Sequence, residues 1–582
     1  TLYTDATTTA MNPAVTLRDV GGSGGRAAAF TYDLGRSVVY THQGNPEWAG
    51  QDRDGAIDQG SAMIRSDDLF FGGSLPDFVN LDKVGIPQAD EQQRLLANLV
   101  TDMASETLPL PRLWYLPHGY KAAVVLTGDE HGTGNHGTEY TFDRLIEESP
   151  AGCSVADWEC LRGSSYVYAD NSVPPATAKL YENAGFELGL HLVVPGPNEC
   201  DNFTSYAQLK GALDEQLDGS AGVQGFSQVY PSLKPPATIR THCVAWSDWD
   251  SQVRADLSRG IRLNTDYYYW PSQWVQDRSG MFTGAGIPMR FAATDGSMYD
   301  VYQAATQLPD ETFNTAASMG AAVSSLLDGA IGPNEYYGAF TTNVHNDTSD
   351  PSAHAPADAI IDAAKARGVP VISARQLLEW LDGRNASSFE GVAYADGRLT
   401  FTLDVGVGAR GLQAMVPAQG PNGSLQELTR NGVPVATTPR TVKGIDYAVF
   451  SGAAGAYEAT YAPPPPDTTP PAITNVAATA PTTTTATITW KTDEASTSRV
   501  DYGTSAGSLT SNVSDDTRVT DHSVTLTGLT PGTAYFFRVT SADAAGNSAT
   551  SPKATDPPAT VTTPIIRSVT DTNVADFSAG TP

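Results

Sequence analysis

Nowhere in the 582 residues do about 18 consecutive apolar side chains occur, so the sequence carries no helical membrane span. Positive charge is scarce: 35 Lys plus Arg stand against 65 Asp plus Glu, a formal charge of −30. The acidic residues are spread along the chain without forming a block. A phosphate backbone would be repelled, which argues against nucleic acid as a partner. Cysteine is limited to four residues and no CxxC spacing occurs, so a thiolate zinc site is not expected. In an oxidising compartment the economical pairing, among three connectivities, is Cys153 with Cys160 and Cys200 with Cys243; four buried thiols are the other reading. Few Lys and many Thr, Ser, Gly, Asn and Pro suggest a secreted or cell-surface protein of a bacterial type.

What is present is modular. A chain of this length exceeds one hydrophobic core, and domains of roughly 100 to 200 residues predict three to five units. Residues 1–108 read as an α/β accessory domain that lacks its beginning: AAAFTYDLG is strand-like, and DEQQRLLANLVTDM repeats its apolar residues at helical spacing. Residues 109–385 alternate apolar runs (AAVVLT, FELGLHLVV, ATIRTHC, AFTTNVH) with helix-like segments such as TEYTFDRLIEES and PATAKLYENAG. That alternation predicts a parallel sheet with covering helices, and polar residues at the ends of several runs favour a distorted (β/α) barrel. Residues 386–462 read as a small β domain, and 463–471 (PPPPDTTPP) as a stiff polyproline linker. Residues 472–558 resemble a fibronectin type III module through Trp490, Tyr535 and GLTPGTAY. Residues 559–582 read as a linker and the opening of a further domain, so a fragment of a longer precursor is expected.

The chemistry concentrates in 109–385. In VVLTGDEHG an apolar run ends at Thr127, and Gly128 is expected to turn the chain into a loop that presents Asp129 and Glu130 to one centre. His191, His242 and His345 each close an apolar run. A carboxylate with two imidazoles suits a divalent cation such as Zn²⁺, so Glu130, His191 and His242 are the expected metal ligands. Asp129 is the expected base, His345 the expected acid, and Arg240 a partner for Asp129 or Asp266. Trp246, Asp266, Tyr267, Tyr269 and Trp270 are expected to line a sugar-shaped cleft, with interior packing as the other reading of the aromatic run.

These segments resemble the polysaccharide deacetylase (NodB homology, carbohydrate esterase family four) fold family. TGDE at 127–130 is similar to its early Asp-containing segment, ELGLHLVVPG supplies a first histidine at His191, IRTHC matches an arginine-containing motif through Arg240, and Val344-His345 matches a closing hydrophobic-His pair. The family's second histidine would fall at Pro195, so His242 is taken as its replacement. The resemblance implies zinc-dependent removal of N-acetyl groups from an amino-sugar polysaccharide or oligosaccharide. Alternatives are a carbohydrate O-acetyl esterase, a glycosidase pairing Asp129 with Asp266 or Asp295, and a non-catalytic carbohydrate-binding protein.

Overall fold

Strand β4, Ala122–Val125, is AAVV with all four residues buried, the composition of a parallel strand covered on both faces. The computed structural model describes residues 13–20, 25–53, 63–71, 79–132, 134, 136–170, 173–195, 200–269, 275–276, 278–281, 283–462 and 467–565. The chain divides into two compact units, Thr1–Pro463 and Pro464–Pro582.

The first unit opens with a hairpin of β1 (Val15–Val20) and β2 (Gly25–Phe30), followed by helices α1 (Leu34–Gln43) and α2 (Gln88–Ala104). Asp33 caps α1 by accepting from the Arg36 N–H. Strand β3 (Arg112–Leu113) pairs with a strand at Gln413–Pro417 in a four-stranded antiparallel sheet. Residues of the expected barrel and of the expected small β domain therefore share a sheet.

The central sheet has eleven strands. After β4 come β5 (Thr127–Glu130), β6 (Ser164–Val167), β7 (Glu187–Leu192), β8 (Thr238–Thr241) and β9 (Leu263–Asn264). A hairpin of β10 (Met289–Ala292) and β11 (Met298–Gln303) forms one edge; β12 (Thr306–Pro309), β13 (Gly338–His345) and β14 (Val371–Ile372) complete the sheet. β5 to β9 pair in parallel in sequence order, and β13 lies beside β4 along its first half and β5 along its end. β12 pairs with β13, while an isolated parallel bridge joins Tyr268, just past β9, to Thr306 of β12. Successive pairs thus trace a circuit that returns to β5. Helices between strands, including Gly137–Glu148, Pro175–Asn183 and Ala316–Ile331, turn apolar residues such as Phe142, Leu145 and Leu327 into the core.

The second unit is a β-sandwich-like domain of six strands between Ile473 and Thr562. Trp490 is buried, donates through Nε1 to Ser541 Oγ at 2.9 Å and stacks on His522. The Thr530 N–H donates to the Tyr535 hydroxyl at 2.9 Å, the corner contact expected from GLTPGTAY. Of the proline-rich linker, 463–466 lie outside the described residues, as do 566–582.

Both disulfides follow the economical pairing, Cys153–Cys160 and Cys200–Cys243. Among the described residues no helix is long and apolar enough to cross a membrane.

Candidate metal centre

Register alone brings the key side chains to one end of the sheet. Asp129 on β5 pairs with His345 on β13, and His191 on β7 pairs with Arg240 on β8. Asp129, His191 and His345 border a cavity of about 220 Å³ that also receives His131, His242, Tyr268, Glu311, Asn343 and, from an earlier segment of the chain, Arg65, while Arg240 lies buried behind it.

The segment expected to be a loop is strand through Glu130, and strand alternation decides its chemistry. Asp129 faces the cavity. Glu130 faces the other way, where its Oε2 accepts from the Thr138 N–H at 3.0 Å near the start of the following helix. His131, two residues after Asp129, returns to the cavity side. The converging donors are therefore His131, His191 and His242, with ligand atoms within 4.8 Å of one another. The expectation that Glu130 is a ligand is corrected by this alternation, while His191 and His242 are brought together as expected. The missed signal was His131's parity with Asp129.

The donors fit a cation. His191 Nδ1 donates to the Arg240 carbonyl at 3.1 Å, leaving its Nε2 lone pair pointing at His131 Nε2, 3.3 Å away. His131 Nδ1 in turn faces Asp347 Oδ2 at 3.0 Å, the carboxylate–imidazole arrangement that orients metal-binding histidines. Two ring nitrogens with lone pairs turned toward each other need a proton or a cation between them. Burial drives the His191 pKa down to about 3, despite the nearby Asp129, so this ring is neutral and able to ligate.

Asp129 is buried, which raises its pKa, but the Arg240 guanidinium and then the His191, His345 and His131 rings outweigh burial and hold it below the usual value. Arg240 is fully buried rather than a surface ion pair. It donates to Asp129 Oδ1 at 3.3 Å, Asn343 Oδ1 at 2.5 Å, Thr127 Oγ1 at 2.9 Å and Thr306 Oγ1 at 2.9 Å. For His345, burial pulls the pKa down, but the Asp310 hydrogen bond, then the Glu311, Asp310 and Asp129 charges, raise it to about 10. Its Nδ1 lies 2.8 Å from Asp310 Oδ1. Tyr268 donates to Glu311 and accepts from Asn343 Nδ2 at 2.8 Å, tying the Arg240 side of the cavity to the His345 side.

The expected sugar cleft is corrected. Trp246, Tyr267 and Tyr269 are buried in the central core, Trp246 stacking on Phe291 and Tyr267 bonding the Gln43 carbonyl. Asp266 is buried too, accepting from the Thr241 N–H at 2.7 Å and the Thr241 hydroxyl at 2.9 Å, so it shapes the turn after β8. Asp295 sits in the exposed β10–β11 turn, accepting from Ser297. Trp270 lies outside the described residues. Among the described residues of the aromatic run only Tyr268 borders the cavity, its bridge to Thr306 leaving Tyr267 and Tyr269 in the core.

Residues 471–555 match the family model described as purple acid phosphatase, N-terminal domain. No curated protein sequence matches the chain. Among solved structures, the chain is similar to a redesigned β-sandwich protein (28% identity, 17% of this chain and 98% of that one, TM-score 0.13). It is also similar to the sixth fibronectin type III domain of a human fibronectin type III domain-containing protein (19% identity, 18% and 92%, TM-score 0.12). A cycloalternan-forming enzyme from Listeria monocytogenes, in complex with a pentasaccharide substrate, gives 10% identity over 75% of this chain and 66% of that one, with a TM-score of 0.21. The polysaccharide deacetylase expectation is corrected by these findings: the matching family is of another kind and falls on 471–555. N-deacetylation of amino sugars, with its carbohydrate esterase and carbohydrate-binding alternatives, does not stand.

Proposed function

We propose that the circuit of parallel strands is a distorted (β/α) barrel whose open end carries a mononuclear, divalent-metal hydrolytic centre of His131, His191 and His242. The observation that carries this reading is the convergence of three imidazoles beside an ionised Asp129 and a cationic His345. A divalent cation there, zinc being the one that imidazole sets hold most often, would polarise the bond to be cut and lower the pKa of water.

The protein's own groups divide the remaining work. Asp129, kept ionised by Arg240, accepts the proton of the attacking water. His345, kept protonated by Asp310, gives a proton to the leaving group. Asp347 and the Arg240 carbonyl fix the His131 and His191 rings so that each Nε2 faces the cavity. The two disulfides support an extracellular location.

Of the two ester classes such a centre cleaves, acyl and phosphate, the phosphate ester is the one specific observations favour. It is favoured by Arg65 and His345, two cationic side chains bordering the same cavity, and by the family match at 471–555. The test is metal content of the full chain by mass spectrometry, with hydrolysis of 4-nitrophenyl butyrate and 4-nitrophenyl phosphate before and after chelation. Stoichiometric metal with chelator-sensitive hydrolysis of either ester supports the reading, and the preferred ester separates acyl from phosphoryl transfer. A chain that takes up no divalent cation would sink it.

A further inference from the structure

His131 follows directly from β5 and His191 lies within β7, whereas His242 sits past the end of β8 in a single 3₁₀ turn, His242–Val244. The next two residues, Cys243 (φ 55°) and Val244 (φ 51°), are both left-handed. That conformation costs an L-residue energy, most of all a β-branched one, and persists only where the surroundings impose it. The turn that aims the third imidazole is therefore one the local sequence disfavours.

Three ties impose it. Cys243 is bonded to Cys200. The Arg65 Nε donates to the Cys243 carbonyl at 3.0 Å, and Arg65 forms an antiparallel bridge with Ala245. The Trp246 N–H then donates to the Ile64 carbonyl at 3.0 Å. The Cys200 side is bound to the same segment, because Asn202 accepts from the Ile64 N–H at 2.6 Å and donates to the Ile64 carbonyl at 2.8 Å. Residues 64–65, 200–202 and 243–246 thus brace one another around the residue after His242. The bridge also keeps the Cys243 sulfur, 3.5 Å from His242 Nδ1, out of its thiolate form, which would compete as a ligand.

We infer that the Cys200–Cys243 disulfide, braced by Arg65, is a positioning device that sets the His242 imidazole against His131 and His191. This rests on the metal reading proposed above. Opening the bridge lets Cys243 and Val244 relax to ordinary backbone conformations, carries His242 away and leaves the cation held by two imidazoles.

The experiment loads the full chain with Co²⁺ and records the visible d–d spectrum and the Co²⁺ affinity by chelator competition. Wild type is compared with Cys200→Ser/Cys243→Ser and, as a control, with Cys153→Ser/Cys160→Ser, whose bridge carries no residue of the cluster. The first variant is expected to bind Co²⁺ about 10–100-fold more weakly, the range for losing a group that orients a ligand, and with an altered spectrum; the control is expected to match wild type. If the first variant does not fold, the folded Co²⁺ protein is reduced with a trialkylphosphine. There the disulfide gains two electrons and two protons to give two thiols, and the phosphine takes the oxygen of one water to become its oxide. Wild-type affinity and spectrum after loss of the bridge would overturn the inference. If wild type takes up no Co²⁺, the metal reading itself falls, and this inference with it.

Discussion

The Nε2 atoms of His131 and His191 face each other at 3.3 Å, and each ring is fixed from behind, one by Asp347 and the other by the Arg240 carbonyl. Replacing His131 by Ala should therefore abolish stoichiometric metal, lowering affinity by more than the ~10–100-fold that losing an orienting partner costs. Glu130→Gln should leave metal content unchanged, since a Gln side chain can still accept from the Thr138 N–H. Metal analysis of the two purified variants separates the assignments. Loss of metal from Glu130→Gln with retention in His131→Ala would reverse them.

The contrast between these two neighbours shows how far the sequence could be read. Apolar runs such as AAVV and ELGLHL announced buried parallel strands, and the polar residues closing them led to Asp129, His191, Arg240, His242 and His345. Glu130 was misassigned because Gly128 suggested a turn, whereas the strand runs on through Glu130 and its alternation passes the site to His131. Trp246, Tyr267 and Tyr269 could not be sorted between cleft and core, since large rings serve both; packing in the central core, with Trp246 stacked on Phe291 and Tyr268 bridged to Thr306, decides it. Arg65 reaches the cavity from a segment remote in the chain, and no local pattern announces that.

Asp129 touches Arg240 inside the protein, where the guanidinium is fully buried and the carboxylate reaches only the cavity. Asp129→Asn keeps the shape and an acceptor for the guanidinium but removes the proton acceptor, so turnover should fall by about 10²–10⁴-fold while metal stays bound. Hydrolysis rates and metal content measured on one preparation check this. Metal loss in the variant would mean that Asp129 is a ligand instead.

Trp246 stacks on Phe291 and Tyr267 packs edge-on against it, so Trp246→Ala should open a cavity and destabilise the first unit by about 3–5 kcal/mol. Tyr268→Phe removes the hydroxyl that links Asn343 to Glu311 and should instead lower turnover with little loss of stability. Urea unfolding and steady-state hydrolysis of both variants distinguish packing from site. A Trp246→Ala variant of normal stability and raised KM would restore that residue to a substrate cleft.

His42, on α1, is buried with Nδ1 3.4 Å from Gln303 Oε1, and burial lowers its pKa to about 4 despite that contact. In the unfolded chain it titrates near 6.5. Between these values the unfolded state binds the extra proton, so stability is complete above pH 6.5 and declines as pH falls toward 4. The loss is of the order of 3 kcal/mol, since each tenfold change in proton affinity between the two states is worth about 1.4 kcal/mol. Asp90 and Asp266 act in the opposite sense: burial raises both to about 6, so the folded state holds their protons more tightly as acidity increases. The His42 contribution is therefore read as the difference between wild type and His42→Asn, whose amide can replace the Nδ1 donor. Eight of the nine Trp residues lie in the first unit, so urea unfolding followed by Trp fluorescence reports on the unit that contains His42. The stability difference between the two proteins should shift in favour of His42→Asn as pH falls from 6.5 to 4, and parallel curves across that range would show that His42 is not protonated on unfolding.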